Sequence, residues 1–258
     1  MKEFLGLEGY QRPAEGYFSW QHLTFVTLLM VIMVALAVFL GRRNRLKTDR
    51  AHNRVLAISA ITIDALELFK IVIFCFRNEN PFEWVHNLPL FLCSIQLITI
   101  PLAAFSRGRV RQAALDFVCI FGILGAVLGT YFAGQNYACY PVLSLDNVVS
   151  GLTHSISGFV SLYILISGMD CMKKENIPIT FGILGGFCVA AYIANIFTDS
   201  NYMFLSRGDG TPYDILYNLV NGNPVLYPVL VVGMFLVYIC GYYGIYHSLA
   251  RKKEPAGK

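Results

Sequence analysis

Charge is what this sequence has least of: Asp, Glu, Lys and Arg make up 14% of its 258 residues, against 56% that are hydrophobic. An average soluble domain carries about 25% charged residues, so a water-solvated globular body is excluded as the main product of the chain. Mean hydropathy is +0.56. Long apolar runs spread over the whole length leave little room for a soluble domain, and 1–258 reads as a single membrane domain. Other absences narrow the class further. The seven cysteines (Cys75, Cys93, Cys119, Cys139, Cys171, Cys188, Cys240) form no CxxC pair and no metal-ligand spacing, which argues against a disulfide framework or a metal site, and no cofactor is expected. The net charge of +4 comes from short basic clusters that abut apolar segments, so it marks topology and calls for no nucleic-acid partner. No fixed-period repeat is visible. No small-residue cleavage site follows the first apolar run, which is therefore expected to stay as a helix.

What is there is a series of runs of membrane length. A bilayer core about 30 Å thick takes about 20 helical residues, because backbone groups in lipid must be satisfied within the segment. Such runs fall at about 20–40, 54–76, 87–105, 113–132, 148–168, 179–198 and 224–248. The expected fold is all-α: a polytopic protein of seven transmembrane helices. The basic residues alternate between loops. Arg42, Arg43, Arg45, Lys47, Arg50 and Arg54 follow the first run, Arg107, Arg109 and Arg111 the third, Lys173 and Lys174 the fifth, and Arg251, Lys252, Lys253 and Lys258 the last. Lys2, Arg12, Arg77 and Arg207 lie on the other side. The richer side is cytoplasmic, which puts the N-terminus outside and the C-terminus in the cytoplasm of a multi-pass protein of the cell membrane. The Gly-rich runs GILGAVLG and FGILGGF read as close helix packing.

Polar groups inside such runs are expensive and mark candidate sites. Asp64, Glu67 and Lys70 recur every three residues of the second run, which puts neighbours on one broad helical face and allows mutual neutralisation. In the third run Pro89 suits a first helical turn, with Cys93 and Gln96 sharing a face beyond it. The fifth run places His154 among small and hydroxyl residues in GLTHSISG. At a rise of about 1.5 Å per residue from the outer helix ends, Cys93, His154 and Lys70 all lie about 9 Å deep and Glu67 about 13 Å. Asp116, near the inner end of the fourth run, is explained by Arg109 or Arg111. A thiol becomes a useful nucleophile when a neighbouring imidazole takes its proton, and Cys93 and His154 supply those parts. Glu67 is a candidate to orient the imidazole; Gln96, Asn195 or Lys70 are candidates to stabilise an oxyanion.

The stretches HNLPLFLCSIQL, GLTHSISGFVSLYIL and IANIFTDSNYMFLSRGDGTPYDIL, in this order and spacing, resemble the YwaF-type integral membrane proteins over about residues 20–248. That family includes vertebrate relatives regarded as cysteine-dependent acyltransferases, which move a fatty acyl chain between phospholipids to build ether lipids without acyl-CoA. The resemblance puts the family's LPLxLC cysteine on Cys93 and its fifth-helix histidine on His154. It puts the sixth-helix amides on Asn195 and Asn201, with Tyr202 beside them, as site architecture or headgroup contacts. The residue two before the cysteine, often His in such proteins, is Phe91 here. The function implied is a membrane-embedded phospholipid acyltransferase or transacylase working at outer-leaflet depth, with membrane phospholipids as both solvent and substrate. The alternative from another class is a small-solute transporter or binding protein whose cavity is lined by Asp64, Glu67, Lys70 and His154. A receptor would share only the helix count and topology.

Overall fold

The structure, a computed structural model, describes residues 1–251. Lys252, Lys253 and Lys258, assigned to a cytoplasmic tail by the sequence, lie outside the described residues. All regular structure among these residues is helical, apart from one isolated bridge between Leu7 and Gly9. The long elements are α1 (Trp20–Asn44), α2 (Asp49–Arg77), α3 (Gln96–Phe105), α4 (Gly108–Tyr131), α5 (Leu145–Ser167), α6 (Ile177–Thr198) and α7 (Leu226–Arg251). Among the described residues five stretches, Trp20–Asn44, Gly108–Cys139, Leu145–Ser167, Lys174–Thr198 and Leu226–Leu249, are long and apolar enough to cross a membrane. Helix α2 is longer than most of these, but Asp64, Glu67 and Lys70 interrupt its apolar run.

The third expected span departs from a continuous helix over 87–105. A 3-10 turn covers Glu83–Asn87, Leu88 is extended (φ −63°, ψ 146°), and α3 begins only at Gln96. The cause is local. The ring of Pro89 disfavours the helical region for the residue before it, so Leu88 is extended and the chain re-enters a helix only after further turns. Phe91 N–H then donates to Ser94 Oγ at 3.0 Å and Ile95 N–H to the Phe91 carbonyl at 3.0 Å. Cys93 thus sits on irregular backbone just before α3, and helical rise from Asn87 does not describe its position. Pro101, inside α3, removes one more internal hydrogen bond.

The chain divides into two compact units, Met1–Cys171 and a second beginning at Met172. In the first, α5 is the central element and packs against α1, α2 and α4. Its start is defined by Ser144, whose hydroxyl accepts from Asn147 N–H at 3.2 Å, and its end by Gly168 in the left-handed region (φ 75°). Small and hydroxyl residues let it pack closely. A Cβ on Gly122 of α4 would stand 2.6 Å from the Ser157 carbonyl oxygen, and Ser161 Oγ donates to the Cys119 carbonyl at 2.8 Å. The outward faces stay apolar: Leu28, Val31 and Leu36 on α1 and Leu68, Val72 and Phe76 on α2 are all exposed, as lipid contact requires. In the second unit, α6 starts with Pro178 in its first turn and packs on the 3-10 turn Tyr202–Phe204, while α7 packs on the short helix Asp214–Leu219.

One ionic clasp ties the first unit together at the start of α5. Arg77, the last residue of α2, donates to both oxygens of Asp146 at 2.8 Å, and Tyr10 donates to Asp146 Oδ2 at 2.5 Å. The guanidinium also lies 4.4 Å from the Phe74 ring centroid. Removing one partner of so enclosed a pair leaves an uncompensated charge, so Asp146→Ala should destabilise by about 3 kcal/mol, read as a lowered unfolding midpoint in detergent. Burial first, and then the bond to Asp146, push the Tyr10 phenol up to about 12. Its stabilising contribution is complete below the ordinary phenol value of about 10 and is lost as pH rises through about 12. A tyrosinate absorbance difference between wild type and Tyr10→Phe should therefore show a late-titrating group, and a difference centred at pH 10 would contradict the clasp.

Candidate functional site

Cys93 and His154 come together in the first unit. The thiol and the imidazole lie within interaction distance of each other on the wall of a cavity of about 230 Å³. Ile63, Glu67 and Lys70 from α2, the segment His86–Ser94, Leu97 of α3, Asn136, and Ser150, Thr153 and Ser157 of α5 contribute the rest of its lining. One part of this wall is apolar and another polar, so the cavity is amphipathic.

The histidine is oriented from its own helix. Its Nδ1 lies 2.7 Å from the Ser150 carbonyl oxygen, one turn earlier. A carbonyl only accepts, so Nδ1 carries the hydrogen and Nε2 keeps its lone pair. Nε2 is buried with no well-formed hydrogen bond among the described residues, and it faces Cys93. The imidazole is therefore poised to take a proton from the thiol. Backbone N–H groups of Cys93 and Ser94, ahead of the α3 N-terminus, turn toward the sulfur.

Helix α4 completes the arrangement by what it leaves out. Gly125 and Gly129, one turn apart, present bare backbone to the pair. A Cβ on Gly129 would fall on Cδ2 and Nε2 of the His154 ring, so the imidazole edge occupies the space a side chain would take. A Cβ on Gly125 would meet the Cβ of Cys93 at 3.5 Å, an ordinary contact. The GILGAVLG run does pack helices closely, as Gly122 shows, but two of its glycines receive the cysteine and the histidine.

The other candidates separate. Glu67 does not orient the imidazole, because the Ser150 carbonyl holds Nδ1; Glu67 is instead bonded to Lys70 at 2.5 Å, with both side chains about 15% exposed to the cavity side (15% for Lys70, 14% for Glu67). The ammonium of Lys70 is close enough to act on His154 through space. Asp64 stays out of that pair, and its Oδ1 is buried without a hydrogen bond among the described residues. Gln96 is fully buried and accepts from Thr99 Oγ1 at 3.1 Å, its Nε2 without a partner among the described residues; neither it nor Asp64 lines the cavity. Asn195, Asn201 and Tyr202 belong to the second unit, where they build a loop. Asn195 clips the backbone of Tyr202 on both sides, at 3.1 Å and 2.6 Å. Asn201 bonds the Arg207 carbonyl, Asp209 and the Ser206 N–H. Their amides are used in holding the chain.

Sequence reasoning passed over Ser150, Gly125, Gly129, Asn136 and His86. Only Ser150 carried a usable signal, one turn before His154.

A cysteine beside a tautomer-fixed histidine, in a cavity among apolar helices, defines an all-helical multi-pass membrane protein with the parts for thiol chemistry. A sequence model of the TMEM164 family matches residues 17–246. The chain belongs to the TMEM164 family, a membrane protein family. No curated protein and no solved structure matches it.

The glycine contacts give a direct test. Gly129→Ala should displace the imidazole and reduce alkylation of Cys93 by a small maleimide about 10²-fold, to the rate expected for His154→Ala, while Gly125→Ala should stay close to wild type. Rates are read by peptide mass spectrometry on monodisperse protein. Equal rates in Gly129→Ala and wild type would remove His154 from any role at the thiol.

Proposed function

We propose that this protein is a phospholipid acyltransferase or transacylase with Cys93 as nucleophile and His154 as general base and acid. The observation that carries the reading is the Nδ1 bond to the Ser150 carbonyl, which leaves the Nε2 lone pair facing the thiol. In the first half-reaction the Cys93 S–H proton passes to Nε2 and the sulfur attacks the ester carbonyl of a phospholipid. The C–S bond forms, the ester C–O bond breaks, and the leaving lysophospholipid oxygen takes the proton back from His154. In the second, an acceptor lysophospholipid hydroxyl gives its proton to Nε2 and attacks the thioester. The new C–O bond forms as C–S breaks and the proton returns to the sulfur. The N–H groups of Cys93 and Ser94 are the candidate oxyanion donors. The likeness of HNLPLFLCSIQL and GLTHSISGFVSLYIL to YwaF-type proteins and their acyltransferase relatives supports this chemistry.

Seven crossings of the cell membrane, with the N-terminus outside, form part of the proposal. Its supports are the alternation of Lys and Arg between loops and the placement of α2, and of the broken segment ending in α3, between the more apolar helices. Cys93 and His154 then sit at the depth of glycerol esters, where a lipid reaches them sideways.

The test is acyl transfer by purified protein in nanodiscs, using a phospholipid with a labelled acyl chain. Wild type should carry a hydroxylamine-sensitive thioester on Cys93, and Cys93→Ala and His154→Ala should lower transfer by about 10³-fold or more. A solute carrier would keep its function in Cys93→Ala and lose it in Glu67→Gln. Labelled lipid species that stay the same in Cys93→Ala would end the enzymatic reading.

A further inference from the structure

The Glu67–Lys70 pair is left unexplained by the thiol chemistry. It is a 2.5 Å ion pair on a helix otherwise rich in apolar residues, lining the same cavity as Cys93 and His154. Breaking such a pair in an enclosed site costs several kcal/mol, so it persists there only where its charges are matched. His86 and Asn136 add polar side chains to the lining, while Ile63, Phe91 and Leu97 keep another part apolar.

We infer that the Glu67–Lys70 pair is a headgroup subsite for zwitterionic glycerophospholipids, Lys70 receiving the phosphate and Glu67 the headgroup ammonium. The inference rests on the acyl-transfer reading of the same cavity. Its physical ground is charge balance. A ligand with one negative and one positive group exchanges partners with the pair: one internal contact becomes two intermolecular ones, and the site stays neutral. A headgroup of net negative charge would satisfy Lys70 but leave the Glu67 carboxylate desolvated beside further negative charge, a penalty that grows as the dielectric falls. Free phosphate meets the same penalty. The apolar part of the lining accepts the start of an acyl chain, which puts an ester between headgroup and chain, where the thiol stands.

The experiment reads protection of Cys93 from maleimide alkylation by water-soluble deacylated headgroups, using the full chain in detergent. The probes are glycerophosphocholine, glycerophosphoethanolamine, glycerophosphoglycerol and inorganic phosphate. Protection is taken as the ratio of rates with and without probe within each variant, so a change in thiol reactivity cancels. Both zwitterionic probes should protect at concentrations about tenfold below the two anionic ones. Lys70→Met should lose protection, Lys70→Arg should keep it as evidence of an intact fold, and Glu67→Gln should bring anionic and zwitterionic probes to the same concentration. Protection that survives Lys70→Met, equal protection by phosphate, or none by any probe overturns the subsite. Protection without a Cys93 thioester from phospholipid would instead overturn acyl transfer and leave the subsite standing. A thioester without headgroup discrimination does the reverse.

Discussion

The edge of the His154 imidazole lies against the bare backbone of α4 at Gly129, in the volume where any other residue would place a side chain. That close approach fixes how the polar contents of the first unit are arranged. Helix α5 can bring a histidine to the cavity only if its neighbour gives way, and α4 gives way at Gly122 for the Ser157 carbonyl and at Gly129 for the ring. The same tight spacing leaves no room for the ring to turn. With Nδ1 held by the Ser150 carbonyl and one edge against a helix, the position of Nε2 is set by backbone on two sides.

Backbone hydrogen bonds deal with most of the other polar groups of α5. Ser155 bonds the Gly151 carbonyl, Ser157 the Thr153 carbonyl, and Ser161 reaches across to Cys119. Hydroxyls used in this way add little cost to an apolar surrounding. The imidazole Nε2 and the Asn147 Oδ1 are the exceptions on this helix, each buried without such a bond among the described residues, and of the two residues only His154 lines the cavity. Asp146, Ser150 and His154 are spaced four residues apart, so they follow one face of α5. The clasp of Arg77 and Tyr10 on Asp146 therefore holds the face that carries the histidine, two turns away.

Composition and hydrophobic runs were enough to read an all-helical, multi-pass membrane protein, because the requirement for internal backbone bonding leaves helices as the product of long apolar segments. The ends of α4, α5 and α6 fall within a few residues of the runs, where caps such as Ser144 and Gly168 make the boundary visible. The third run misled. Its hydropathy is that of a span, but Pro89 acts on the residue before it, and the extended Leu88 delays the helix to Gln96. Side-chain partnerships were legible only where both members share a helix. Glu67 and Lys70 stand three apart, and their mutual neutralisation is the arrangement found. Gly129 and His154 come from separate helices with no sequence relation to show that they touch, so the glycine reads as generic packing.

The two sides of the Cys93–His154 pair are built differently, and this bears on how the pair works. His154 sits mid-helix on the central element of its unit, with its tautomer fixed. Cys93 sits on turns between an extended Leu88 and the start of α3, where backbone adjusts more readily than within a helix. Small movements needed to bring the sulfur into line with a bound carbonyl therefore belong to the cysteine segment, against a base that stays in place. Phe91 and Ser94 lie on that segment and line the cavity as well, so a ligand that presses on the segment also shifts the sulfur. Tightening of the thiol onto Nε2 when the cavity fills follows from the same division, since contacts of this kind are long before a ligand binds and shorten as it does.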